Sequence, residues 1–130
     1  MKKTKIFIAC DTKNVAKVKK IIKLSKAKNI KIGFKFGLEF MNSKNGRNFI
    51  SSLKNKIIFV DLKLNDTVNT MLSAVKALKD LKINYLTVHI SSGLMALKAV
   101  KKVSGSTKIV GVTTLTSLNN KDLKLIGYNK

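Results

Sequence analysis

The chain has 130 residues, and its 27 Lys and Arg, all but one of them lysine, face six Asp and Glu for a formal net charge of +21. That length suits one domain or part of one, and 45% hydrophobic residues exclude a disordered polycation. A single cysteine, Cys10, excludes an internal disulfide and a two-cysteine redox or zinc motif, and no apolar run approaches the ~18 residues of a membrane span.

At the start, Lys2, Lys3 and Lys5 precede Ile6, Phe7, Ile8, Ala9 and Cys10. This mimics a secretion signal, but the apolar part falls short of the ~7–15 residues that a signal needs. A first strand over Ile6–Cys10 fits better, and a cytoplasmic location is expected. Val15, Val18 and Ile22 then share a helical face, with Lys17, Lys20 and Lys23 largely outside it. A second strand is expected over Ile30–Gly37. Phe49, Ile50 and Leu53 form the next stripe, with Asn42 and Ser43 as its N-cap candidates. The third strand, Ile57–Leu62, leads to a helix carrying Met71, Leu72, Val75 and Leu78 on one face. After a fourth strand over Ile83–Ile90, Ser91 or Ser92 is expected to cap a helix that buries Leu94, Leu97 and Val100. Thr107–Val112 is the fifth strand, and Asn119 or Asn120 can cap a short last helix ending before Gly127.

Short β-branched runs of this kind suit strands covered on both faces of a parallel sheet. The order is βαβαβαβαβ(α), a strand about every 25 residues, with no linker or composition break dividing it. The chain therefore reads as a single α/β unit over residues 1–130. Two architectures fit, an open doubly wound sheet or a (β/α)8 barrel. A barrel takes eight units over ~250 residues, so five strands amount to its N-terminal portion.

The lysines are spread along the whole chain, beside 13 Ile and 12 Asn and without Pro or Trp. This is a compositional bias, read as a solvated lysine surface, and no specific nucleic-acid or membrane partner is expected from it. The six acids say more. Asp11, Glu39 and Asp61 each sit at or just after a strand end, and Asp66 lies five residues past Asp61; only Asp80 and Asp122 are ordinary surface acids. Functional residues of α/β folds gather at the C-terminal ends of strands. With a period of two, Asp61 and Lys63 point the same way. Carboxylates of Asp61 and Asp66 around the Lys63 ammonium would keep it charged and placed, able to stabilise a carbanion and then protonate it. His89 reads as a hydrogen-bonded packing residue, and Cys10 as a small core hydrophobe.

Asp61–Thr70, DLKLNDTVNT, resembles the D-x-K-x-x-D-I-P-N-T signature of orotidine 5'-phosphate decarboxylases. Ala9-Cys10-Asp11 is similar to the family's strand-one aspartate, and Lys35–Phe40 to its K-x-G-x-E-x segment. Val88–Gly93 is similar to V-H-A-x-G-G, and Val112–Ser117 to V-T-x-L-T-S. The resemblance implies a (β/α)8 barrel that converts orotidine 5'-phosphate to UMP with no metal or organic cofactor. It implies that Asp11 binds the ribose hydroxyls and that Lys35, Asp61, Lys63 and Asp66 form an alternating charge tetrad. Lys63 would donate the proton to C6. Asp66, with Thr67 to Thr70, would reach across a homodimer interface into the partner's site, and Thr116 would contact the pyrimidine. Lys31 also precedes an Ile-Gly pair, but Glu39 fits the family spacing only with Lys35 in the lysine role.

Thr67-Val68 replaces the family's Ile-Pro pair, and the family's phosphate-gripping loops follow strands seven and eight, beyond the five strands here. Remote phosphate contacts contribute to the chemical step, so the 130 residues are expected to be weakly active or inactive. Three rivals are a Mg²⁺-dependent sugar-phosphate decarboxylase or hexulose-phosphate synthase of the same superfamily, a non-catalytic half-barrel and a basic nucleic-acid binder.

Overall fold

The computed structural model describes residues 5–128. In chain order its elements are β1 (Lys5–Ala9), α1 (Val15–Leu24), β2 (Lys31–Gly37), α2 (Leu38–Met41), α3 (Gly46–Ser52), β3 (Ile57–Leu64), α4 (Val68–Ala77), β4 (Tyr85–His89), α5 (Gly93–Val103), β5 (Lys108–Val112) and α6 (Asn120–Leu125). All five strands run parallel and pair in the order β1-β2-β3-β4-β5. A doubly wound sheet reverses its strand order at a switch point. Unbroken sequential pairing is that of consecutive units of a (β/α)8 barrel, which decides between the two architectures. Among the described residues no helix is long and apolar enough to cross a membrane.

The register sorts side chains onto two faces. Lys35 pairs with Phe59 and Phe59 with Tyr85, so odd-numbered residues of β2, β3 and β4 begin on one face and even-numbered ones on the other. The even set, Phe34, Phe36, Ile58, Val60, Leu86 and Val88, is buried in the core with Val18 of α1, Ile50 of α3, Met71 and Val75 of α4, and Val100 of α5. Full burial of such a side chain contributes about 1.5–3 kcal/mol, so this layer supplies much of the stability. Lys17, Lys20, Lys23, Lys76, Lys98, Lys101 and Lys102 stay exposed, as expected of a solvated lysine surface. On the odd face, Phe7, Phe59 and Tyr85 cluster with ring centroids 5.1–5.9 Å apart. Gly33 makes room for that cluster, because a Cβ there would stand 2.6 Å from the Phe7 ring.

Several helix starts depart from expectation. Asn42 and Ser43 do not cap the second amphipathic helix. The Asn42 Nδ2 donates to the Leu38 carbonyl at 2.9 Å and the Ser43 hydroxyl to the Phe40 carbonyl at 2.7 Å, so both close α2, and α3 begins later with Asn45 in the N-cap position. The tight α2–α3 corner explains the shift, since Gly46 sits directly on the Phe40 carbonyl. A Cβ at position 46 would lie 1.7 Å from that oxygen. Alanine in place of a helical glycine ordinarily adds stability. Here Gly46→Ala should instead cost about 1–3 kcal/mol by overpacking, read as a lower urea midpoint at unchanged slope. A raised midpoint would contradict this account of the corner.

Ser92 occupies the N-cap position of α5, but its hydroxyl donates to the His89 carbonyl and makes no cap bond. Of the expected stripe, Val100 is buried and Leu97 packs against the core, but Leu94 is 64% exposed, as is Met95 at 75%, and Ala96 is buried in addition. The buried part of the stripe thus begins one turn later than expected. Asn119 does cap α6, accepting from the Lys121 and Asp122 amides while the Asp122 carboxylate accepts from the Asn119 amide.

Candidate active site

A charged group occupies the odd face near the C-terminal strand ends. Asp61, on β3, is its centre, with a side chain only 11% exposed. The Lys63 ammonium donates to both Asp61 oxygens at 2.9 Å. Lys35 of β2 donates to Asp61 Oδ2 at 3.2 Å, and the Thr87 hydroxyl of β4 donates to Oδ1 at 2.9 Å. Lys35 also stands 3.8 Å from Asp11 Oδ1, just beyond β1. Burial by itself would raise the Asp61 pKa. Hydrogen bonds from Lys63, Thr87 and Lys35, with the Lys63 charge, outweigh it and hold the carboxyl below the usual range.

The meeting of Asp61 and Lys63 is not simple strand alternation. Val60 pairs with Leu86 and Leu64 with Val88, so β3 carries two extra residues against β4 at this point. Lys63 lies inside that bulge with φ +50°, a left-handed conformation uncommon for a side-chain-bearing residue. Bulges re-aim side chains and recur beside active sites. The Lys63 amide donates to Thr87 Oγ1 at 2.8 Å. Neither the bulge nor Thr87 is legible from hydrophobic period, and the only local signal is a hydroxyl between the buried Leu86 and Val88 of β4.

The observed alternating run is therefore Asp11, Lys35, Asp61 and Lys63. Asp66 stands apart from it. Its carboxylate accepts from the Thr67 amide at 2.6 Å, and among the described residues no ion pair joins it to Lys63. Within one chain, the expected pair of carboxylates around the Lys63 ammonium reduces to Asp61 alone. The bulge turns Lys63 back toward Asp61 while the chain leads Asp66 to the start of α4. Thr67 holds the N-cap position of α4 with its hydroxyl 3.1 Å from that of Thr70, and both are exposed. Thr116 is exposed in the loop between β5 and α6, and Glu39 in the first turn of α2. Lys31 lies at the far end of β2, paired in register with Lys5 and away from the charged group.

Cys10 is fully buried beside this group. Burial, reinforced by Asp11 and opposed by Lys35, pushes its thiol up to about 11. A thiol disfavoured from ionising is a poor nucleophile. In the folded protein at neutral pH, Ellman's reagent should leave Cys10 untouched and should titrate it only in denaturant; rapid labelling of the native chain would contradict that environment. His89 is partly buried at the end of β4. Among the described residues, no group of three or more His, Cys, Asp and Glu side chains is gathered that could hold a metal ion.

A buried carboxylate whose oxygens are engaged by two ammoniums and a hydroxyl is a rigid mount. It fixes the Lys63 ammonium, which can stabilise negative charge developing on a small molecule and then surrender a proton to it.

Comparison with known proteins gives one family. The model of the orotidine 5'-phosphate decarboxylase / HUMPS family matches residues 4–129. An orotidine 5'-phosphate decarboxylase of Ehrlichia canis is 37% identical over 129 residues, covering 96% of this chain and 55% of the relative. The crystal structure of orotidine 5'-phosphate decarboxylase from Lactobacillus acidophilus superposes with a TM-score of 0.79 at 31% identity, over 93% of this chain and 58% of that one. A Methanocaldococcus jannaschii orotidine 5'-monophosphate decarboxylase, solved with the inhibitor BMP, gives 0.71 at 27% identity over 85% of this chain and 52% of that one. The chain spans about half the length of the curated relatives it matches.

Proposed function

Because the chain belongs to the orotidine 5'-phosphate decarboxylase / HUMPS family, we propose that its charged site takes part in decarboxylating orotidine 5'-phosphate to UMP. The observation that carries this reading is the Lys63 ammonium, held at 2.9 Å on a nearly buried Asp61. Loss of CO₂ from C6 leaves a carbanion with no neighbouring electron sink. An ammonium already in place stabilises that charge where it develops, which lowers the barrier without tightening ground-state binding. Lys63 then protonates C6. Asp61 and Lys35 hold it in position, Asp11 takes the ribose hydroxyls, and Thr116 contacts the pyrimidine. No metal or organic cofactor enters the reaction.

We assign the working form as a cytoplasmic homodimer, with Asp66, Thr67 and Thr70 reaching the partner's site. Support comes from the exposed apolar side chains of Leu38, Val68, Ile90, Leu94 and Met95, which cluster in sequence just after strands β2, β3 and β4. Sedimentation should give two copies per particle, and Met95→Asp should give one; a monomeric unsubstituted chain would remove this assignment.

The described residues form five strands, whereas the family's phosphate-gripping loops follow strands seven and eight. The 130 residues are therefore expected to turn over slowly. The test is ¹⁴CO₂ release from carboxyl-labelled orotidine 5'-phosphate in EDTA. Slow release with one UMP per CO₂ supports the reading. Turnover of a pentulose phosphate that requires Mg²⁺, without CO₂ release from the nucleotide, would replace it by the metal-dependent relatives' chemistry.

A further inference from the structure

Thr87 is one of the few buried polar side chains, 4% exposed in the middle of β4. A hydroxyl in such a position is costly unless it is paired. Here it is paired twice, and in one sense only. The Lys63 amide can only donate and the ionised Asp61 can only accept, so the hydroxyl accepts from the first at 2.8 Å and donates to the second at 2.9 Å.

Those two bonds fall where β3 needs them. The bulge takes the Lys63 amide out of the β3–β4 ladder, between the Val60–Leu86 and Leu64–Val88 pairs. An unsatisfied amide next to a left-handed lysine would leave this turn without an anchor. The Thr87 hydroxyl replaces the missing ladder acceptor. With its proton it also fixes Asp61 Oδ1, one of the two oxygens that Lys63 Nζ contacts at 2.9 Å. One hydroxyl thus ties the lysine's backbone to the carboxylate that orients the lysine's ammonium.

We propose that Thr87 is a positioning residue, whose hydroxyl locks the β3 bulge and thereby sets the point at which the Lys63 ammonium enters the site. As a role in catalysis this rests on the decarboxylase reading, but the clamp itself has readouts that need no turnover. Asp61 has Lys63, Lys35 and Thr87 as its bonding partners, with Asp11 beyond Lys35.

The experiment compares the unsubstituted 130-residue chain with Thr87→Val, which keeps the shape and loses the hydroxyl, and with Thr87→Ser, which keeps the hydroxyl. In the unsubstituted chain the Lys63 amide should exchange with solvent at least about tenfold more slowly than the exposed Asn65 amide. In Thr87→Val that protection should be lost, and the ¹³C titration midpoint of the Asp61 carboxyl should move up. Thr87→Ser should restore both. In ¹⁴CO₂ release, Thr87→Val should lower kcat about tenfold or more with KM little changed, and serine should recover most of the loss. Fast exchange of the Lys63 amide in the unsubstituted chain overturns the clamp even if valine fails to fold. So does a serine variant that behaves like valine. Restored protection and titration in a chain that turns over a pentulose phosphate with Mg²⁺ and releases no CO₂ from the nucleotide would uphold the clamp and remove only the decarboxylase reading.

Discussion

Lys63→Ala should lower the rate of CO₂ release from orotidine 5'-phosphate by about 10²–10⁴-fold or more, with substrate affinity changed far less. This one ammonium has two tasks, proton transfer and electrostatic stabilisation, which are worth roughly 10²–10⁴-fold and 10²–10³-fold when removed singly, so losing both together costs at least the larger of the two. Both act on charge that is absent from the ground state, so the loss belongs in kcat. Lys63→Arg should recover little of it. A guanidinium keeps the charge but is planar, bulkier and effectively never gives up its proton. The fold should survive either change, because the Lys63 side chain is 40% exposed and lies outside the core layer. Single-turnover release, read with unfolding midpoints for the same proteins, checks both statements. Equal rates for Lys63→Ala and the unsubstituted chain would remove Lys63 from the chemistry.

Asp61→Ala should be as damaging and should also destabilise the chain. Removing the carboxylate leaves Lys35 and Lys63 facing a common space without their shared counter-charge, and it deprives the Thr87 hydroxyl of its acceptor. Truncating one partner of a fully buried charge pair costs about 3–5 kcal/mol. With Lys35 27% and Lys63 40% exposed, solvent screens the freed ammoniums and the cost falls below that range, while a displaced ammonium costs activity on the scale given for Lys63. The pH dependence separates this carboxylate from the rest. Its folded pKa is lowered, so its contribution is fully present above the ordinary carboxylate value of about 4 and is lost as the pH falls through the depressed value. Unfolding midpoints followed from pH 6 into acid should fall more steeply for the unsubstituted chain than for Asp61→Asn, which has no proton to take up there. Identical acid limbs would mean that Asp61 is not held ionised by its neighbours.

Much of this arrangement was legible in the sequence, for physical reasons that differ by element. The five strands showed because continuous β-branched runs such as Ile57–Val60 occur only where a strand is covered, and the helices because Val15, Val18 and Ile22 fall on one face. Choosing the barrel order over a doubly wound one required either strand pairing or the resemblance carried by Asp61–Thr70, since periodicity contains no information on which strands are neighbours. The α2–α3 corner was misread because Asn42 and Ser43 are cap residues at either end of a helix, and only the closeness of Gly46 to the Phe40 carbonyl assigns them to the end of α2. At the first turn of α5, Leu94 continues the helical stripe in sequence yet is 64% exposed, and periodicity marks the face of a residue without showing how far along the helix the core extends. Within the site, strict alternation linked Asp61 to Lys63 by the wrong route. Two extra residues in β3 and a left-handed Lys63 do that work, held by a threonine that looks like any β-former. A bulge is a mismatch between two strands and leaves no mark on either one alone.

The account stands or falls on an ammonium at position 63, and that can be supplied chemically. In Lys63→Cys the new thiol is the only accessible one, because Cys10 is buried with its pKa pushed up to about 11. Alkylation with bromoethylamine puts an ammonium back at nearly lysine's reach, and alkylation with bromopropane gives a neutral chain of similar length. The prediction is that Lys63→Cys releases CO₂ about 10²–10⁴-fold more slowly than the unsubstituted chain, that aminoethylation restores most of the rate, and that propylation restores none. Equal recovery by both reagents, or a Lys63→Cys protein as fast as the unsubstituted one, would contradict the assignment of the proton donor.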